Sequence, residues 1–362
     1  MRSHLNHLEI SVPQHVLSRR GFLGSLGALT LAPRLFGSEP ASDAIPVTAI
    51  NHVMIRVTDL GRSLDWYQRL FGMPVVARQG ETVILRVGNG PQFLEMTSGA
   101  DAKPGIAHFG LSVDNFNPDR VVGILKAHGI ALAQKPAPMK AHVRIGGQPA
   151  GGTTEVYVGD PDGIVVQLQD SSYNGRTGPL GDRPSKAPES APAAGLLPVR
   201  DYNHVTSFVP DQRRTVGFYQ KLFRMPIDTY QGPLPILRVG TGNQSLAFVG
   251  ADDRHAPAFI DHVCFAVDDF NPDRILATLA DFGVTPRAHE SRRPAPLKSY
   301  VTMRMPDRGG APAGTPELYF TDPDGILLQV QDVRYCCGGG YLGDERGYGG
   351  QLLKKPGEMQ RR

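Results

Sequence analysis

The chain has 362 residues, long for a single domain, so two domains are the starting expectation. Lys+Arg of 38 against Asp+Glu of 35 gives a formal charge of +3, dispersed apart from short basic runs near both ends, which gives no reason to expect nucleic acid or an acidic partner. Three cysteines, Cys264, Cys336 and Cys337, are too few for a disulfide scaffold, and the adjacent pair cannot bridge to itself without a strained ring, although either can pair elsewhere.

The N-terminal stretch "SRRGFLGSLGALTLA" sets Arg19 and Arg20 before an apolar run from Phe22 to Ala32, too short to span a bilayer, which needs about 20 residues. Ser18, Arg19, Arg20, Phe22 and Leu23 resemble the core of a twin-arginine (Tat) signal, with Gly24 where a lysine is frequent. The resemblance implies a signal over residues 1–44, cleavage near Ser42 to Ala44, passage through the Tat export machinery and a periplasmic or extracellular location, with no stable membrane anchor. The plain alternative is a basic tail with a chance apolar patch.

A duplication organises the rest. "INHVMIRVTDLGRSLDWYQRLFGMP" (Ile50 to Pro74) returns as "YNHVTSFVPDQRRTVGFYQKLFRMP" (Tyr202 to Pro226), and "DPDGIVVQLQD" (Asp160 to Asp170) as "DPDGILLQVQD" (Asp322 to Asp332). Between the copies, residues 183–198 are rich in Pro, Ala and Ser without periodicity and read as a linker. The expected domains are 46–182 and 199–344, followed by a basic tail over 345–362.

Within the first copy, "NHVMIRV" alternates as a half-buried strand, with Val53, Ile55 and Val57 opposite His52, Met54 and Arg56. "DLGRSLDWYQRLFG" follows with apolar residues at helical spacing and Gly72 at its end. "TVILRVG" and "QFLEMT" read as strands around an "NGP" turn, completing a βαβββ unit. The order then repeats: "AHFGLSV", a helix with Asn117 as N-cap and Pro118 at its first position, and strands at "HVRI", "TEVYV" and "IVVQLQD". The fold class is α+β, four βαβββ units in two domains.

Paired βαβββ units opening on "NHVMIRVTDLGRSLDWYQRLFG" and carrying "DPDG" before the last strand resemble the vicinal oxygen chelate superfamily of glyoxalases, extradiol dioxygenases and bleomycin resistance proteins. That resemblance implies two open barrels of glyoxalase-like type, each able to hold a divalent metal (Fe, Mn, Zn, Ni or Co) that binds a small-molecule substrate. Carried over position by position, the metal ligands fall on His52, Glu95, His108 and Gln167 in the first domain. In the second they fall on His204, His262 and Gln329, with Ala247 at the position of Glu95. Two imidazoles and a carboxylate suit such metals and leave positions for substrate or water. The second set lacks its carboxylate, so the first domain is the expected metal site, and the second holds metal only if another acid enters.

Glu155 with Tyr157, and Glu317 with Tyr319, lie just before each "DPDG". Their arrangement is similar to the end of the extradiol dioxygenase signature, with Gln replacing its final Glu. They are the candidate catalytic residues; the alternatives are a packing aromatic for each Tyr and a solvated strand charge for each Glu. Cys264, two residues after His262, reads as an inert thiol. The leaning is to a dioxygenase-type oxidoreductase. The alternatives are a glyoxalase-type lyase or isomerase, or a non-catalytic small-molecule-binding module, as a monomer or homodimer.

Overall fold

The computed structural model describes residues 44–79, 81–99, 103–145, 153–175, 189–251, 256–287 and 294–335. The Tat-like stretch, the basic tail, Cys336 and Cys337 lie outside the described residues. Among the described residues, no helix is long and apolar enough to cross a membrane.

The first half runs β1 (Val47–Val57), α1 (Leu60–Phe71), β2 (Val75–Gln79), β3 (Thr82–Arg86), β4 (Phe93–Ser98), β5 (Gly105–Val113), α2 (Pro118–Ala127), β6 (Ala131–Leu132), β7 (Lys140–Ile145), β8 (Thr154–Gly159) and β9 (Val165–Asp170). The second repeats it: β10 (Val199–Val209), α3 (Gln212–Phe223), β11 (Ile227–Gln231), β12 (Leu234–Arg238), β13 (Ser245–Gly250), β14 (Phe259–Val267), α4 (Pro272–Asp281), β15 (Thr285–Pro286), β16 (Lys298–Arg304), β17 (Thr315–Thr321) and β18 (Leu327–Asp332), with a 3-10 turn at Pro306–Arg308. β2 lies in "VVARQ", where no alternation marks a strand. It is recruited by antiparallel pairing with β3.

In each half the two βαβββ units join through their first strands. β1 pairs antiparallel with β5 and parallel with β4, and β5 pairs parallel with β9. The second half matches this with β10, β14, β13 and β18. The helices start where short polar side chains accept from a free backbone N–H: Asp59, Asn117, Asp211 and Asn271 each bond the N–H three residues on. Pro118 and Pro272 follow their Asn caps at the first helical turn.

The halves share one apolar core. α1 sends Trp66 and Phe71 against Phe320, and Phe71 against Phe265, all of the second half. Tyr202 of β10 reaches back, its hydroxyl donating to Phe93 O at 2.7 Å. The "DPDG" turns form the other part of this interlock. Asp160 Oδ1 accepts from the N–H of Asp162 and of Ile164, each at 2.9 Å, closing its own turn. Asp162 then takes Arg214 and Thr215 at the start of α3, and Tyr219 donates to Asp160 Oδ2. Reciprocally, Asp324 takes Thr58, Arg62 and Ser63 around the start of α1, and Tyr67 donates to Asp322. The motif thus does more than feed the last strand of each half: it docks one half on the other with pseudo-twofold symmetry.

Part of the linker expected over 183–198 is also packed. Glu189 bridges Val75 and pairs with Arg78 through two 2.7 Å bonds, and a Cβ at Gly72 would meet Ala194 O at 2.2 Å.

Candidate metal centre

Four neighbouring strands, β4, β1, β5 and β9, each give one polar side chain to the concave face of the first half. Register explains why they meet. Met54 lies between Glu95 on one side and His108 on the other, while Gly110 lies between His52 and Gln167. His52, Glu95 and His108 offer ligand atoms all within 4.8 Å of one another. Gln167 Oε1 is 3.1 Å from His52 Nε2 and 3.0 Å from His108 Nε2, and the two nitrogens are 3.1 Å apart.

Asn51, which sequence reasoning passed over, sets the state of His52. Its Nδ2 donates to Tyr173 O at 2.9 Å, which turns its Oδ1 toward His52 Nδ1 at 2.8 Å. Nδ1 therefore carries the proton, and Nε2 presents a lone pair to the cluster. Neighbouring side chains on a regular strand point to opposite faces, but a register shift between Ile50 and His52 against β5 lets the two meet. Phe93 stacks on the His52 ring at 4.6 Å and 9°, and Gly110 lies beneath it, where a Cβ would meet Cε1 at 2.2 Å. The signal for Asn51 was the dipeptide Asn-His, present in both copies.

In the second half the frame persists and the charge changes. Asn203 donates to Tyr335 O at 2.9 Å and accepts from His204 Nδ1 at 2.8 Å. His204 Nε2 lies 3.3 Å from His262 Nε2 and 3.0 Å from Gln329 Oε1. Burial, with a smaller push from His262, brings His204 down to about 3, so it is neutral at physiological pH. Ala247 stands in the register position of Glu95, facing Thr206 across the ladder. Asp261, also missed, pairs with His262 Nδ1 at 2.9 Å; its counterpart in the first half is Ala107. Cys264 is buried opposite His204, and its thiol is pushed up by burial and then by the charge of Glu317, as an inert thiol should be.

Tyr157 packs edge-on to His108 at 5.6 Å, and Tyr319 to His262 at 5.3 Å, so both tyrosines border their clusters. Each hydroxyl donates to its neighbouring glutamate, at 2.9 Å to Glu155 and 3.4 Å to Glu317. Burial and then the adjacent carboxylate raise both phenols far above their ordinary range, so both stay neutral. Neither glutamate is a solvated strand charge. Glu155 is fully buried and takes Arg144 Nε at 2.6 Å; Glu317 takes Arg304 Nε at 3.0 Å. Arg304, itself buried, also bonds Gly309 O and the Tyr335 hydroxyl. The carboxylates are neutralised by arginine before they can serve as metal ligands.

The donor chemistry of the first cluster fits a divalent ion: two imidazoles, one carboxylate and one amide oxygen. The second has two imidazoles and an amide oxygen but no carboxylate at the Glu95 position, and its two lining acids, Asp261 and Glu317, are engaged by His262 and Arg304.

A family model for the Glyoxalase/Bleomycin resistance protein/Dioxygenase superfamily matches residues 49–168 and again 201–330. Lactoylglutathione lyase of Escherichia coli O157:H7 is 32% identical over 140 residues, 34% of this chain and 94% of that protein. A probable lactoylglutathione lyase of Vibrio cholerae is 30% identical over 133 residues, 33% of this chain and 88% of that one. The chain spans only 42% of a longer relative, a putative lactoylglutathione lyase of Brassica oleracea var. gemmifera, at 28% identity over 130 residues and 32% of this chain. Among solved structures, the Mn(II)-bound glyoxalase from Novosphingobium aromaticivorans superposes with a TM-score of 0.55 at 14% identity over 86% of this chain and 87% of its own. Homoprotocatechuate 2,3-dioxygenase from Arthrobacter globiformis gives 0.54 at 19% identity, over 81% and 82%. At these identities the structures speak to fold alone. The doubled family match spans well over half of the sequence: the chain belongs to the Glyoxalase/Bleomycin resistance protein/Dioxygenase superfamily.

Proposed function

We propose that the first half is a divalent-metal centre acting on a small molecule with two adjacent oxygens, in a lyase or isomerase reaction of glyoxalase type. The observation that carries this is the cluster of His52, Glu95 and His108 with ligand atoms within 4.8 Å of one another. His52 Nε2, Glu95, His108 Nε2 and the Gln167 amide oxygen would hold the ion, which when bound supplies Lewis-acid polarisation of a substrate oxygen. One carboxylate against a divalent charge leaves a net positive site, so an anionic or strongly polarised oxygen is the favoured guest. Asn51 keeps the His52 lone pair inward. Tyr157, neutral and donating to Glu155, holds its ring against His108 and acts as a positioning residue. Glu155, neutralised by Arg144, keeps that phenol in place.

The relatives named lactoylglutathione lyase support the lyase reading over the dioxygenase leaning of the sequence. Oxygenation is the second reading, favoured by the phenol of Tyr157 beside the cluster. Two assays on metal-loaded protein separate them: isomerisation of adducts of 2-oxoaldehydes with small thiols, and oxygen uptake with a panel of catechols. Turnover in the first without oxygen uptake in the second is expected; oxygen uptake alone would replace the first reading by the second. Export through the Tat-like segment is part of the proposal, and fractionation of the native cell tests it.

A further inference from the structure

The second half holds an open cleft of about 430 Å³ in front of His204, His262 and Gln329. Its volume lies in the range of small-molecule sites, and its walls mix polar groups with apolar ones such as Leu234, Ile236, Ala247 and Leu327. Ala247 in place of a glutamate removes the charge a divalent ion would need and leaves space. The floor then has an unusual composition. Asn203 and Asp261 each engage the Nδ1 of one imidazole, so the two Nε2 atoms, 3.3 Å apart, and Gln329 Oε1, 3.0 Å from His204 Nε2, form the floor. With Ala247 at the Glu95 position and both lining acids engaged by His262 and Arg304, this floor of imidazole and amide groups suits a hydroxyl, which donates and accepts hydrogen bonds.

Two further features define the guest. One wall is aromatic: Tyr300 and Tyr319, both lining the cleft, stack on each other at 5.2 Å and 16°. At the mouth, Arg308 lines the cavity from an exposed position in the loop between β16 and β17 and, among the described residues, has no acidic partner. Arg304, by contrast, is fully committed to Glu317, Gly309 and Tyr335. We infer that the second half is a metal-free binding site for a small planar molecule with a hydroxyl donor at one end and an anionic group at the other, distinct from the metal centre of the first half.

Calorimetric titration of full-length, chelator-treated protein with 4-hydroxybenzoate tests this, with benzoate and 4-hydroxybenzylamine as controls lacking the donor and the anion. One equivalent is expected to bind without metal, and each control about tenfold more weakly, the cost of one well-placed polar contact. Arg308→Ala, at an exposed site that leaves folding intact, should weaken 4-hydroxybenzoate about tenfold. Ala247→Phe should fill the cavity and abolish binding, with the metal content of the first half unchanged. Glu95→Gln, which strips the first centre, should leave the titration as it was. Binding that requires metal, or that disappears in Glu95→Gln, overturns the inference. So does binding indifferent to Arg308→Ala, or a second equivalent of metal per chain that 4-hydroxybenzoate does not displace.

Discussion

Asn51 and Asn203 do for the two halves what no cleft-facing residue can do: each fixes which imidazole nitrogen carries the proton. In Asn51→Leu the His52 ring loses its acceptor and its tautomer, and metal affinity at the first centre should fall 10–100-fold, the usual effect of removing such a partner. Competition against a chromogenic chelator reads that change, and an unchanged affinity would show that His52 needs no orientation. Tyr157→Phe should leave the metal content unaltered and lower turnover, with the thermal midpoint nearly unmoved. An equal loss of metal would give the phenol a direct part in holding the ion. His52, Glu95 and His108 were legible in the sequence through the family resemblance, position by position, and period-two alternation agrees, because each sits opposite the apolar residues of its strand. Asn51 was not, since alternation assigns it to the buried face and only the bulge returns it to the histidine. Asp261 escaped for a related reason: an acid beside a histidine shows its meaning only when the ring turns toward it.

At the scale of the strand, Gly110 is the element's concession to the histidine ring above it. Gly110→Ala places a Cβ 2.2 Å from His52 Cε1, against a ring held by Phe93 on its other face and by Asn51 at Nδ1. Overpacking of this kind costs about 1–3 kcal/mol. Chemical denaturation should show that loss together with a weakened metal site; stability and affinity both unchanged would mean that the ring has room to move. The helices and most strands follow from periodicity and capping, as Asn117 and Pro118 illustrate. β2 does not, because "VVARQ" is a strand through its pairing with β3 rather than through its own pattern. The segment after the first half was read as a linker from composition alone, yet Glu189 forms a bidentate ion pair with Arg78. A lone acid in a Pro/Ala-rich run gives no sign of the arginine waiting for it.

At the scale of the whole molecule, duplication produced two side-chain clusters, one with Glu95 and one with Ala247 in its place, inside one interlocked body, and the "DPDG" turns are its clasps. Burial dominates at Asp160 and Asp322 and raises them to about 7 and about 6, despite the backbone N–H and tyrosine bonds that oppose it. A raised carboxyl pKa means that the folded state holds its proton where the unfolded chain, near 3.8, has released it. The contribution of these groups is complete below the unfolded value and is lost as pH rises through about 6 and 7. Asp160→Asn keeps an acceptor for the turn and has no proton to release. Calorimetry between pH 4 and 8 should therefore show a flatter decline in stability than for the parent, and an unchanged slope would remove Asp160 from the account. Sequence symmetry made the two halves plain, but not that each "DPDG" serves the other half, since the partners Arg214, Thr215, Arg62 and Ser63 lie far along the chain. The asymmetry between the sites is the central claim, and metal content per chain tests it most directly. Elemental analysis of the full-length protein, purified after expression with transition metals supplied, should find one equivalent, lost in Glu95→Gln and retained in Gln329→Ala. No metal in the parent protein, or equal losses in the two variants, would contradict the assignment of the metal centre to the first half.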